Sequence, residues 1–265
     1  MDNAILQSKN IEGIFDNVKN KYPKVILSKI IGKFIEADKA LSQFNLRRYL
    51  QISFYEVFNL VQDLFKFTDE NNEFLIVFKL IYTDWLKFLS LTIPHICEEL
   101  WELSGYKTFL STNIWDAFNQ DYINNEIEDE FEYISTLIED ILNIKKIVKD
   151  YKTNKVYIYM APKWMYKVLD VINSKEGNFD EIIMELKKDG DLMRNKQLIP
   201  FLKSQLKDRV WEKKLPKIDE VSVVEQFKPY IEKKVNSTII IDSNFDPKMR
   251  GNKTKPFKPG LFIDA

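Results

Sequence analysis

Apolar residues recur at three- and four-residue intervals from Leu27 through Ile30, Ile31, Phe34, Ala37 and Leu41. That spacing lines one side of an α-helix and predicts an amphipathic helix there. A second helix is expected after Asn45, turning Ile52, Tyr55, Leu60, Val61, Leu64 and Phe65 inward, and a third from about Glu73 to Leu91. Pro94 suits the first turn of a fourth, where its missing N–H is not needed. Ile96, Leu100 and Leu103 would give that helix its buried side and Gly105 its end. Residues 126–152 read as one long helix. Seven acids and no base fall between Glu126 and Asp140, then five lysines against Asp150 alone between Lys145 and Lys155. Acids first and bases last suit the helix dipole. The same lysines, Lys145, Lys146, Lys149 and Lys152, equally suit a strip facing phosphate.

Beyond residue 153 the pattern changes. Lys155–Met160 is β-branched and aromatic, the composition of a strand, and Ala161-Pro162 opens a helix through Ile172. Further helices are expected at Phe179–Lys187, Leu192–Lys214 and Val221–Val235, the last kinked at Pro229. Strands are expected at Thr238–Ile241 and Gly260–Asp264. The fold class is therefore mostly α, with an N-terminal helical bundle over residues 1–152 and a small α+β C-terminal domain over 153–265.

Composition narrows the chemistry mainly by exclusion. Lys plus Arg number 39 and Asp plus Glu 40, so net charge singles out no partner. Of only seven glycines the closest two, Gly251 and Gly260, stand nine residues apart. Both the dinucleotide fingerprint and the phosphate-cradling P-loop need glycines packed within one turn, so neither is present. One cysteine, Cys97, and one histidine, His95, exclude a disulfide framework and a Cys/His zinc site. His95, Glu98 and Glu99 fall in one helical first turn, where capping, packing and dipole roles account for them. Trp85, Trp101 and Trp115 read as core aromatics, while Trp164, between Lys163 and Lys167, either packs or stacks on a base. The uncharged run from Phe88 to Cys97 is too short to span a bilayer, and Asp2 with no apolar core behind it speaks against a signal peptide. A reduced, cytoplasmic chain off the membrane is expected.

One segment departs from the even charge balance. Phe245–Pro259 is rich in turn formers and carries Lys248, Arg250, Lys253, Lys255 and Lys258, with no acid from Pro247 through Ile263. Five unopposed cations interleaved with Phe257 and prolines fit either a nucleic-acid contact or a solvated loop. A second basic run, Lys203 to Lys217, is offset by Asp208 and Glu212 and follows a helical period, as a wet face would.

Several motifs are recognisable. Ile93-Pro94-His95-Ile96-Cys97-Glu98-Glu99-Leu100-Trp101 resembles the T-P-H-I-x-E-E-L-W helix start in the anticodon-binding bundle of class I aminoacyl-tRNA synthetases. The stretch Leu137 to Lys146 resembles the long helix of the archaeal-type leucyl-tRNA synthetases, and Val156 to Leu169 resembles the strand, turn and helix that follow it there. Phe245-Asp246-Pro247 with Lys258-Pro259-Gly260-Leu261-Phe262-Ile263 is similar to that family's closing Y-D-P … L-P-G-x-P-x-I-Y segment, less a proline at Leu261. The likeness runs in order from residue 12 to the end.

The resemblance implies a class I anticodon-binding type of bundle, and a part of a leucine–tRNA ligase that handles tRNA. The activating motifs do not match: a single histidine cannot supply the His-Ile-Gly-His type sequence, and Lys248-Met249-Arg250 shares two letters with the Lys-Met-Ser-Lys-Ser loop. No catalytic residue, metal ligand or cofactor is therefore expected in this chain, with ATP and Mg confined to a catalytic domain elsewhere. The expected partners are leucine tRNA, through its long variable arm, and a separate catalytic half. A structural subunit or a degenerate paralogue without tRNA binding is the alternative. Beginning at a methionine directly before the bundle, the chain is expected to be an excised fragment or a separately encoded half. Carried over by position, Arg47 matches the arginine of an F-x-T-R stretch, with Leu46 in place of threonine, and Arg48 is its neighbour without a sure counterpart. Lys145, Lys146, Pro259, Gly260 and Ile263 match as well. The family's S-W-P piece is reduced here to Ile114-Trp115-Asp116.

Overall fold

A computed structural model of the chain describes residues 15–16, 18–68, 71–113, 118–147, 154–212 and 218–264. These fall into two compact units, 1–132 and 133–265, and the division lies within one long helix. The first unit is helical. It comprises α1 (Lys21–Ser42), α2 (Leu46–Leu50), a π-helical turn (Gln51–Glu56), α3 (Val57–Phe67), α4 (Asn71–Ser90), α5 (Pro94–Leu103) and the start of α6 (Asn125–Ile147). The second contains the rest of α6, β1 (Lys155–Tyr159), α7 (Lys163–Ser174), α8 (Phe179–Leu186), α9 (Gly190–Met193), α10 (Leu198–Lys207), α11 (Glu220–Val235), β2 (Thr238–Ile241) and β3 (Gly260–Ile263). The protein is mostly α, a helical bundle followed by a small α+β part.

The stripe on α1 buries as its spacing predicts, with Leu27, Ile30, Ile31, Phe34 and Ala37 all in the core. The next helix has a different phase. Ile52, Val61 and Leu64 are buried, but Tyr55 and Phe65, expected inside, are exposed. The cause is the π turn, whose i→i+5 bonding inserts one residue into the helical repeat. Burial therefore passes from Ile52 and Ser53 to Val57 and then runs through Val61 and Leu64.

A second correction concerns α5. Ile96, Leu100 and Leu103 are exposed, and the helix buries Cys97 and Trp101 instead. Two apolar stripes one residue apart compete on this helix, and the largest ring decides. Trp101 stacks on Tyr106 at 3.8 Å between centroids and packs with Leu86 and Leu110. Glu98 locks the same phase by accepting the backbone N–H groups of Leu110 at 2.7 Å and Ser111 at 2.9 Å. Those bonds, Ser111's first, hold its carboxyl below the usual range. Burial pushes the Cys97 thiol up to about 11, so it acts as a small core side chain. Pro94 does stand in the first turn, and Gly105, at φ 91°, follows the helix end. His95 lies exposed.

In the second unit the strands and α7 fall where the pattern placed them. The helix expected over Leu192–Lys214 is broken into α9, α10 and a 3-10 turn at Val210–Glu212. A continuous helix would have put Pro200 in its interior; starting α10 at Leu198 keeps that proline in a first turn. The α11 helix runs through Pro229 without interruption. Strand order is β2-β1-β3, with β1 parallel to β2 and antiparallel to β3. Residues alternate across a strand, so Tyr157 and Tyr159 share a face with their partner Phe262 and with Ile240. A separate helical core joins Met165, Val168, Leu169 and Ile172 of α7 to Ile182, Leu186, Leu198 and Leu202. Trp164 is half-buried and meets Phe201 edge-on at 5.4 Å, which is packing.

Candidate nucleic-acid interface

The cations expected to touch RNA occupy unlike environments. In the first unit Arg47 is exposed, whereas Arg48 is bracketed by the carboxylates of Glu36 and Glu56, which Lys33 also pairs at 2.9 and 2.7 Å. The Glu56 and Glu36 bonds raise the guanidinium's already high pKa. The two neighbouring arginines thus stand in different environments, and mutants separate them. Arg48→Ala is expected to lower the urea midpoint and leave RNA affinity near that of the wild type. Arg47→Ala is expected to weaken RNA binding and leave stability within the roughly ±0.5 kcal/mol typical of surface changes. Equal midpoints for the two variants would contradict the assignment.

Along α6, Lys145 faces inward. Its ammonium donates to the Val235 carbonyl at 2.7 Å and to the Ser237 hydroxyl, and partial burial lowers its pKa. That carbonyl belongs to the last turn of α11, where a cation is favoured by the helix dipole. Lys145 therefore holds α6 to the end of α11 instead of standing free. Lys146 is exposed, its ammonium 3.5 Å from the Asn143 side-chain oxygen. Lys149, Lys152 and Trp115 lie outside the described residues.

The tail is where cations converge. Lys255 and Lys258 exchange backbone hydrogen bonds, the Lys255 N–H donating at 3.1 Å and the Lys258 N–H at 2.9 Å, around the tip Pro256-Phe257. Proline second and a left-handed residue third, Phe257 at φ 61°, is the pattern of a type II turn. The third position ordinarily takes glycine or asparagine. Phenylalanine holds it because its N–H donates to the Glu220 carboxylate at 2.6 Å and its ring meets Tyr133 edge-on at 6.3 Å. Glu220 is buried at the first position of α11 and also accepts the hydroxyls of Tyr133 and Tyr166, each at 2.6 Å. A buried hub thus fixes the tip and leaves two exposed lysines directly across from one another. Like charges so placed repel, a cost that a bound anion removes.

The rest of the loop is organised around its one acid. Asp246 accepts the N–H groups of Arg250 at 2.8 Å and Gly251 at 2.7 Å, which leaves Lys248, Arg250 and Lys253 exposed. Lys248 lies 5.7 Å from the centroid of Phe262. Ile263 is buried in β3 and Gly260 is a spacer, so these two support the loop from beneath. The spacing of residues did not point to the Glu220 hub or to the fixed ring of Phe245. A first-turn acid looks like any other, and an aromatic in a turn-rich segment carries no periodicity.

Comparison with known proteins bears on this arrangement. The family model for the anticodon-binding domain of tRNA ligase matches residues 23–159, which take in most of the first unit and run through α6 and β1. The chain belongs to that family. It is 32% identical to leucine–tRNA ligase of Pyrococcus abyssi over 94% of its own length and 26% of the relative's. For leucine–tRNA ligase of Methanococcus vannielii the figures are 33%, 98% and 26%, and for that of Archaeoglobus fulgidus 29%, 97% and 28%. The chain spans about a quarter of the length of the curated relatives it matches. Among the described residues no helix is long and apolar enough to cross a membrane, and no three potential ligands gather as a metal site would require.

Proposed function

We propose that this chain is the tRNA-binding C-terminal region of a leucine–tRNA ligase, and that its tail grips the long variable arm of leucine tRNA. The observation that carries the reading is the Lys255–Lys258 turn, two exposed ammonium side chains set opposite each other by a buried carboxylate hub. Membership of the anticodon-binding family and the leucine–tRNA ligase relatives support it. Activation of leucine with ATP and Mg then belongs to a catalytic domain, joined to this region or supplied by a separate subunit, and this chain contributes position, not chemistry. Phosphate contacts fix orientation, and unpaired bases supply the choice among tRNAs.

Binding at near-physiological salt tests this. Leucine tRNA should bind more tightly than a tRNA with a short variable arm; equal affinity removes the variable arm from the reading. If all five tail cations meet phosphates, log K should fall with log salt at a slope of roughly −3.5 to −4.5. The double variant Lys255→Ala, Lys258→Ala should make that slope shallower by about 1.4 to 1.8. A slope unchanged by the double variant would clear the turn of any role.

A further inference from the structure

The tail holds a second feature that phosphate binding does not use. Phe245 is 49% exposed although its surroundings are fixed. Its carbonyl accepts the Tyr159 hydroxyl, its N–H donates to the Ser243 hydroxyl at 3.1 Å, and the next residue, Asp246, is tied to two backbone N–H groups. Its ring rests 5.3 Å from that of Tyr157 and 6.1 Å from that of Phe262, which are themselves paired across β1 and β3 at 5.8 Å. Three aromatic rings therefore form one cluster of tilted and edge-on contacts on the sheet, with Phe245 still half open to solvent. Lys248 and Arg250 follow within five residues and are exposed.

A half-exposed ring held in one place has already lost the conformational freedom that binding would otherwise cost. Its open surface suits a flat apolar face, and the unopposed cations beside it suit the phosphates on either side of such a face. An apolar protein segment would match the ring and leave the cations unanswered. A nucleotide of single-stranded RNA answers both.

We propose that Phe245 is a stacking platform for one unpaired base of the bound RNA, with Lys248 and Arg250 taking the flanking phosphates. The inference rests on the tRNA-binding reading above and adds to it the residue and the mode of contact. Stacking on this ring is sequence-tolerant, because every base has a π face. It therefore selects for an unpaired nucleotide at that place rather than for a particular base.

The test compares the full chain with its Phe245→Leu and Phe245→Trp variants, using leucine tRNA with 2-aminopurine placed in turn at each unpaired variable-arm position. Leucine keeps the apolar contact with Tyr157 and Phe262 but has no π face. Phe245→Leu should melt like the wild type, bind about tenfold or more weakly, and keep the wild-type salt slope, since stacking releases no counterions. Phe245→Trp should bind at least as tightly as the wild type, and at one position the wild type should quench the fluorophore where the leucine variant does not. A leucine variant that binds like the wild type, with the lysine-dependent slope intact, overturns the platform and leaves the phosphate reading standing. A wild-type chain that binds no tRNA at all overturns both.

Discussion

Replacing Glu220 with alanine is expected to destabilise the second unit by about 3–5 kcal/mol. Its carboxylate, 2% exposed, accepts three short hydrogen bonds from Tyr133, Tyr166 and the Phe257 backbone. Hydrogen bonds to a charged acceptor contribute roughly 1.5–3 kcal/mol each, and orphaned buried donors add their own desolvation cost. The penalty of burying the carboxylate itself offsets part of that total, and its seat in the first turn of α11 returns some through the helix dipole. The two tyrosines report the same environment. Burial first, then Glu220, pushes both phenols well above their ordinary value, so they remain donors throughout the neutral range. Their contribution to stability is present below the unfolded value of about 10 and declines as pH rises beyond it, because the unfolded chain then loses protons that the folded one retains. Glu220→Gln should cost less, about 1–2 kcal/mol, since an amide oxygen still accepts and its NH2 can donate to a phenol oxygen. Urea denaturation measures both. RNA affinity should fall with Glu220→Ala as well, because the left-handed Phe257 loses its anchor and the two lysines their register. A wild-type midpoint for Glu220→Ala would end the account of the hub.

How much of this was legible in the sequence follows from what each pattern can encode. Periodicity located α1, whose one buried face is set by local spacing, while β-branched and aromatic composition located β1 and a proline start located α7. Periodicity misjudged α3 and α5, where phase depends on a π turn and on one tryptophan's choice of neighbour, neither of which is a matter of spacing. Charge runs were read as surfaces. That reading suits the tail, but Lys145 shows its limit. A lysine ending one helix looks the same in sequence whether it meets water or the final carbonyl of a distant helix. The tail's cations were visible, and their arrangement was not. The Pro256-Phe257 tip lacks the glycine that usually marks its turn, and the carboxylate that compensates stands 37 residues away.

Gly260→Ala is expected to damage the second unit as well, though by less than the loss of Glu220, for a reason unrelated to charge. A methyl group on Gly260 would lie 2.7 Å from the Arg250 carbonyl oxygen, 3.0 Å from its carbon and 3.2 Å from the Thr254 methyl group. Two of these three atoms are backbone and cannot swing aside. Either β3 must leave its register against β1 or the Arg250–Thr254 turn must lift off the strand, and forced overpacking of this kind typically costs about 1–3 kcal/mol. Because that turn carries Arg250 and Lys253, tRNA affinity should fall even in the fraction that stays folded. Gly190→Ala is the matched control. Nothing lies within 4 Å of its added methyl group and its backbone is helical, so it should be neutral or slightly stabilising. Thermal melting and tRNA binding of the two variants, compared side by side, decide the matter. If Gly260→Ala matches Gly190→Ala in both, the close passage of β3 beneath the basic turn does not govern the site. If it melts lower and binds more weakly, the glycine serves as the spacer that lets positive charge be carried on the edge of the sheet.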